Sequence, residues 1–170
     1  IFDAIGDSFS TVATGGFTVH DASFAFYHSD SINAVAIFFM ILGAVNFGLH
    51  FKLLQTRSMK VYVQDPELKL FLLMILMVVA LVTFCFIGQP ILTNYISGVL
   101  HILFSVVSVF TTTGFTLVHF NQWPGFLPYL MMTMALIGGC ASSTSGGLKI
   151  IRLQVLLGQV KRSLYQLVHP

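Results

Sequence analysis

Between Leu70 and Leu148 the chain carries no Asp, Glu, Lys or Arg, a run of 79 residues without a formal charge. A soluble domain needs a wettable face, so a run of this length belongs in a bilayer. The remaining composition agrees, with 56% hydrophobic and 8% charged residues over 170 positions. The sequence therefore reads as an integral membrane protein, and a net charge of +2 carries no implication for nucleic acid. Cys85 and Cys140 both fall in apolar stretches, which argues against a disulfide framework. The sequence opens at Ile1 with neither Met nor a signal-peptide pattern, so it reads as an excerpt of a longer polypeptide.

Two stretches are long enough to cross roughly 30 Å of hydrocarbon. They are Ile32 to Phe51, and Leu70 to Gly88 with Gln89-Pro90 closing it. All eight Lys and Arg lie in two clusters: Lys52, Arg57, Lys60 and Lys69 between these spans, and Lys149, Arg152, Lys161 and Arg162 near the C-terminus. The positive-inside rule makes that side cytoplasmic. Asp3, Asp7, Asp21 and Asp30 lie on the other side, where Trp123, Tyr95 and Tyr129 flank apolar segments as interfacial aromatics do. Ile1 to Ala13 and Ile96 to Thr111 are too short to cross and are expected to be re-entrant, down as a helix and back as an extended segment. The expected fold is an all-α integral membrane protein of repeated span–re-entrant pore loop–span units around a pore. Residues 1–54 give a pore loop and inner helix, 55–65 a cytoplasmic loop and 66–166 a complete unit.

The final crossing is interrupted. Pro128 to Cys140 is apolar, then Ala141-Ser142-Ser143-Thr144-Ser145-Gly146-Gly147 follows, and apolar residues resume at Leu148. Ser competes for backbone hydrogen bonds and Gly costs about 1 kcal/mol against Ala in a helix, so two half-helices with a hinge are expected. Ile41-Leu42-Gly43-Ala44 matches Leu136-Ile137-Gly138-Gly139, but the first copy continues through Val45-Asn46-Phe47-Gly48 and is expected to be unbroken.

The re-entrant segments repeat. Ser10 to Thr18 (S-T-V-A-T-G-G-F-T) returns 98 residues later as Ser108 to Thr116 (S-V-F-T-T-T-G-F-T). A bare cation at membrane depth needs oxygens in place of its hydration shell, and a Thr- and Gly-rich turn after a half-length helix offers them. The candidate cation-binding residues are Ala13, Thr14, Gly15 and Gly16 in one copy and Thr111, Thr112, Thr113 and Gly114 in the other. Thr adds a hydroxyl, Gly permits unusual backbone angles, and each helix turns its partially negative C-terminal end toward the membrane centre. Phe17 and Phe115 read as wedges against neighbouring helices, Asp21 as a cation collector at the outer mouth, and Asp3 and Asp7 as complements to the helix N-terminal half. Asn46 reads as an interhelical hydrogen-bonding residue. His20, His28 and His119 read as solvated, and His50 as the cytoplasmic end of a span. Lys149 reads either as a positive barrier in the path or as a snorkelling residue.

The two T-x-G-F-T segments, G-G-C-A-S-S-T-S-G-G-L-K-I-I-R (Gly138 to Arg152) and the closing L-V-H-P resemble the TrkH family of bacterial Trk potassium-uptake systems, within the Trk/Ktr/HKT superfamily. The resemblance implies four span–loop–span repeats around one pore, this chain supplying most of the second and all of the third. It implies that Gly16 and Gly114 are the key filter glycines, and that the filter residues above bind potassium. It implies a gate at Ala141, Ser142, Ser143, Thr144, Ser145, Gly146 and Gly147, with Lys149 directly below. The family pattern there is A-G-S-T-G-G-G, and Ser142 and Ser145 stand where two of its glycines would be. It further implies multi-pass residence in the bacterial inner membrane among lipid, a homodimer, a cytosolic nucleotide-binding ring of the TrkA type, and no cofactor beyond the transported ion.

Two rival classes are weighed against this. A proton- or sodium-coupled potassium symporter stays as the alternative. Coupling normally needs a carboxylate in the path, and none occurs from Leu70 to Leu148, which argues mildly for a channel-like mechanism, while repeats outside this sequence could supply one. An intramembrane serine protease would pair Ser142, Ser143 or Ser145 with His50. No motif orients those residues, and the duplicated turns have no role in hydrolysis. The chain is therefore read as a transport protein and not as an enzyme.

Overall fold

The computed structural model describes residues 1–87, 95–118 and 123–168. Among them every regular element is helical: α1 (Phe2–Val12), a 3-10 turn (Ser23–Tyr27), α2 (Asp30–Ala44), α3 (Phe47–Thr56), α4 (Lys60–Gln64), α5 (Pro66–Cys85), α6 (Tyr95–Phe110), α7 (Leu127–Ile137) and α8 (Ile150–Val168). Gly88, Gln89-Pro90, His119 and the closing His169-Pro170, all used in the sequence reading, lie outside the described residues.

The start of α5 is written in its sequence. Asp65 caps the helix, its carboxylate accepting from the Leu68 N–H at 2.7 Å, and Pro66 sits in the first turn, where its missing N–H is not needed. Beyond that turn α5 is apolar all round. Phe71, Ile75, Val78 and Val82 are buried while Leu73, Leu76, Met77 and Phe84 are exposed. A helix with no polar face suits lipid. Among the described residues α5 is the helix long and apolar enough to cross alone, and the pair α2 plus α3 passes the same test only together.

That pair corrects the sequence reading. Ile32 to Phe51 is not one helix: α2 stops at Ala44 and α3 leaves at 93°. Val45 is extended, and the Asn46 side chain accepts from the Gly48 N–H at 2.8 Å, so it caps α3 instead of bonding to another helix. Both copies of the inner span are therefore broken, not the second alone.

The interior divides into two clusters. Met40, Phe71, Phe104, Val107, Phe110, Phe115, Cys140 and Ile150 join α2, α5, α6 and the start of α8. Val78, Val82 and Phe86 of α5 and its C-terminal end meet Ile102 and Val106 of α6 and Leu127 and Met131 of α7. The seat that α5 fills between α6 and α7 has a counterpart between α1 and α2. There it is an open groove of about 450 Å³, and its walls Ala4, Ser8, Ile32 and Ala36 repeat the positions of Ile102, Val106, Leu127 and Met131. Cys85 and Cys140 are both free.

Candidate functional site

The two repeated turns have the same hydrogen bonds. In the first, the N–H groups of Ala13, Thr14 and Gly15 donate to the carbonyls of Phe9, Thr11 and Ser10; in the second, Thr111, Thr112 and Thr113 donate to Val107, Val109 and Ser108. The left-handed positions also coincide, at Thr14 (φ 50°) and Gly16 (φ 74°), and at Thr112 (φ 57°) and Gly114 (φ 90°). A β-branched residue in that region costs of order 1–3 kcal/mol, strain that the surroundings must impose. The turns abut. A Cβ on Gly16 would lie 1.9 Å from the Thr113 carbonyl oxygen, whereas one on Gly114 would meet nothing within 4 Å. The second copy is braced further, the Ser108 hydroxyl donating to the Phe115 carbonyl at 2.7 Å and the Thr111 and Thr113 hydroxyls bonding at 2.8 Å. Phe115 is wholly buried with its ring centroid 4.4 Å from that of Phe24, while Phe17 is 83% exposed. Among the described residues Phe115 packs as a wedge and Phe17 does not.

Residues 138–149 close the α7–α8 break as a folded loop. Its ends run side by side, Leu148 and Lys149 donating to the carbonyls of Leu136 and Ile137, each at 2.9 Å. That crossing needs glycine, since a Cβ on Gly138 would lie 2.0 Å from the Gly146 oxygen. The loop then satisfies the other break. Cys140 donates to the Ala44 carbonyl at 2.9 Å, Thr144 to that of Gly43 at 3.2 Å, and Phe47 at the start of α3 donates to Ser142 at 3.0 Å. Each interrupted helix supplies partners for the other, as irregular backbone at membrane depth requires.

The same loop reaches both turns. The Thr144 hydroxyl lies 3.2 Å from that of Thr14, 3.1 Å from the Val12 carbonyl and 3.0 Å from that of Gly43. The Gly146 N–H donates to the Thr112 hydroxyl at 2.6 Å. Thr14, Thr112, Thr144 and Gly146 are thus linked through the loop, while Gly16 abuts Thr113 of the other turn and Ala13 bonds within its own. Ser143 donates to the Cys140 carbonyl at 2.6 Å and bonds Ser145, whose hydroxyl accepts from Gly139 N–H; Ala141 donates elsewhere, to Glu67. Lys149 turns its ammonium onto the Ser145 and Ser143 carbonyls.

Several contacts were missed from sequence. His50 bridges the Leu42 carbonyl at 3.0 Å and the Tyr62 hydroxyl, so it is held by neither Ser142, Ser143 nor Ser145. Burial raises the Tyr62 phenol above its ordinary pKa. His20 is not simply solvated, stacking on Phe26 at 3.6 Å and pairing with Asp3 at 3.3 Å. Asp7 is buried and accepts from the Tyr27 hydroxyl; burial first, then that bond, push the Tyr27 phenol up to about 12. Gly43 allows α1 to end against α2, a Cβ there lying 2.7 Å from the Val12 oxygen. The pairing of Gly43 with Gly138 in the two copies was the available signal.

Half-helices that stop inside an apolar bundle and hand over to mutually bonded turns are the arrangement of a membrane protein whose irregular backbone is satisfied by protein. The whole chain, residues 1–170, matches the TrkH cation transport protein family, and it belongs to that family. It is 46% identical to the Trk system potassium uptake protein TrkH of Salmonella typhimurium strain LT2 and 44% identical to that of Escherichia coli K12. Each match covers 99% of this chain and 35% of the relative, so the chain spans about a third of their length. The crystal structure of the potassium transporter TrkH from Vibrio parahaemolyticus superposes with a TM-score of 0.93 at 40% identity, covering 99% of this chain and 36% of that one. The relatives are named as transporters, not as enzymes.

Proposed function

We propose that this chain is part of a potassium-uptake protein of the bacterial inner membrane. Residues Ala13–Gly16 and Thr111–Gly114 form two strands of its cation filter, and Ala141–Gly147 with Lys149 form the gate beneath. The observation that carries this reading is that one loop is hydrogen-bonded to both repeated turns at once, through Thr144 to Thr14 and through Gly146 to Thr112. Alternation of left-handed residues with others along each turn departs from the strand pattern, in which successive carbonyls face opposite ways. It favours carbonyls gathered toward one side, as a dehydrated cation requires. Lys149 supports the closed loop through the Ser143 and Ser145 carbonyls, which places its positive charge against the loop.

A uniport-like path is preferred to proton- or sodium-coupled symport on one observation. The two buried acids, Asp7 and Glu67, are bonded by Tyr27 and by backbone N–H groups, and neither is hydrogen-bonded to the repeated turns. The names of the relatives support potassium as the substrate; the proposal also includes a lipid-embedded homodimer regulated by a TrkA-type nucleotide-binding ring.

The test is deletion of Ser142–Gly146 in the full-length transporter, reconstituted in liposomes and assayed for rubidium uptake with and without the cytosolic ring. A gate predicts raised basal flux with weaker regulation. A well-folded deletion with normal, regulated flux overturns it.

A further inference from the structure

Glu67 is buried in the first turn of α5, and one of its oxygens serves two partners. Oε1 accepts from the Ala141 N–H at 2.7 Å and from the Ile151 N–H at 3.3 Å. Ala141 begins the seven-residue loop segment, and Ile151 lies in the first turn of α8. One turn further along α8, the Gln154 side chain donates to the Pro66 carbonyl at 3.3 Å, so the start of α5 grips α8 at two levels. Lys149, the nearest basic residue in sequence to the loop, turns instead to the Ser143 and Ser145 carbonyls. The Glu67 carboxylate therefore relies on backbone donors from two elements. Charge-assisted bonds are roughly twice as strong as neutral ones, and a buried carboxylate that loses a donor is costly. The two contacts on Oε1 are thus linked: moving one donor changes how firmly the other is held.

We propose that Glu67 is a positioning residue that couples α8 to the intramembrane loop, so that displacement of α8 is transmitted to Ala141 through the shared oxygen. This rests on the gate reading above. The start of α8 already meets the start of the loop through backbone, Ile150 donating to the Gly139 carbonyl at 3.1 Å, but that bond stops two residues short of Ala141. Glu67 adds the side-chain link that reaches Ala141 itself.

Cys140 supplies the readout, because it is fully buried next to Ala141 and its exposure reports release of the loop. The full-length transporter with Cys85 replaced by Ser is labelled with methanethiosulfonate ethylammonium, and rubidium flux is recorded on the same samples. Glu67→Ala is expected to speed Cys140 labelling about tenfold, and Glu67→Gln, which keeps an acceptor, by about threefold. Ile151→Pro removes the α8 donor together with the Ile151 side chain, at the second helical position that Pro128 already occupies in α7, and Ile151→Ala, which keeps the N–H, controls for the side chain. Ile151→Pro is expected to change Cys140 labelling in the wild-type background and to have no further effect beside Glu67→Ala. Independent, multiplying effects would overturn the coupling, as would unchanged labelling in Glu67→Ala, Glu67→Gln and Ile151→Pro alike. If Glu67→Ala folds poorly, Glu67→Gln alone decides: faster labelling supports the proposal and unchanged labelling overturns it. Faster labelling with unchanged rubidium flux leaves the coupling standing and counts against the gate.

Discussion

The hydroxyl of Thr112 accepts a 2.6 Å hydrogen bond from the backbone N–H of Gly146, 34 residues further along the chain. A side chain in one repeated turn thereby restrains the loop that closes the break in the last span. Thr14, the equivalent of Thr112 in the first copy, meets the same loop through Thr144 at 3.2 Å. The repeat is thus a repeat of contacts as well as of sequence.

Thr112→Val keeps the shape of the side chain and removes that acceptor. Basal rubidium flux of the full-length transporter in liposomes should rise about threefold to tenfold, the worth of one net hydrogen bond. Thr144→Val should raise it further, because the Thr144 hydroxyl lies near three oxygens. Unchanged flux in both well-folded variants would remove the loop from control of permeation.

Gly16 and Gly114 should respond differently to alanine. At Gly114 there is room for the methyl group but the backbone is left-handed, so Gly114→Ala should insert normally and lose discrimination between rubidium and sodium. At Gly16 the methyl group would collide with the Thr113 carbonyl, so Gly16→Ala should part the two turns and lower the melting temperature as well. Flux ratios and thermal melts on purified protein check both, and selectivity retained in both would count against a filter.

Single cysteines at Arg57 and Lys161 should be shielded from an impermeant thiol reagent on intact cells, while one at His28 should react, after Cys85 and Cys140 are removed. Labelling at Arg57 from outside would invert the orientation and put the turns on the wrong face.

Tyr27→Phe should destabilise the fold by about 1–3 kcal/mol, since it strips the hydrogen-bond donor from a buried carboxylate whose Oδ1 has no partner. The cost should shrink as pH rises from about 10, the ordinary phenol value, to about 12, the raised value of Tyr27, above which the phenol ionises in the folded parent and the donor is lost there too. A melting temperature equal to that of the parent at neutral pH would show that Asp7 finds another donor.

Asn46→Ala should cost about 1 kcal/mol by removing the cap of α3, with rubidium selectivity unchanged because Asn46 bonds to Gly48 and to neither turn. A loss of selectivity without a change in melting temperature would move Asn46 into the ion path.

The sequence alone determined the lipid-compatible helices, the two half-length helices and their Thr-Gly turns, and the interruption after Cys140. These follow from local quantities: the length of an apolar run, the absence of charge, the backbone needs of glycine. It did not disclose that the first inner span is also broken, because Val45-Asn46-Phe47-Gly48 is as apolar as a helix through membrane would be, and one Asn is a weak stop signal. Only the tertiary structure decided that break, since the carbonyls freed at Gly43 and Ala44 find their donors in Thr144 and Cys140, about a hundred residues away. The contacts of Glu67 were hidden for the same reason. An acid in the first turn of a helix reads as a dipole complement, and nothing near it in sequence says that its partners are Ala141 and Ile151. Local sequence says where a backbone can leave the helix; long-range packing decides whether its unpaired groups are satisfied there.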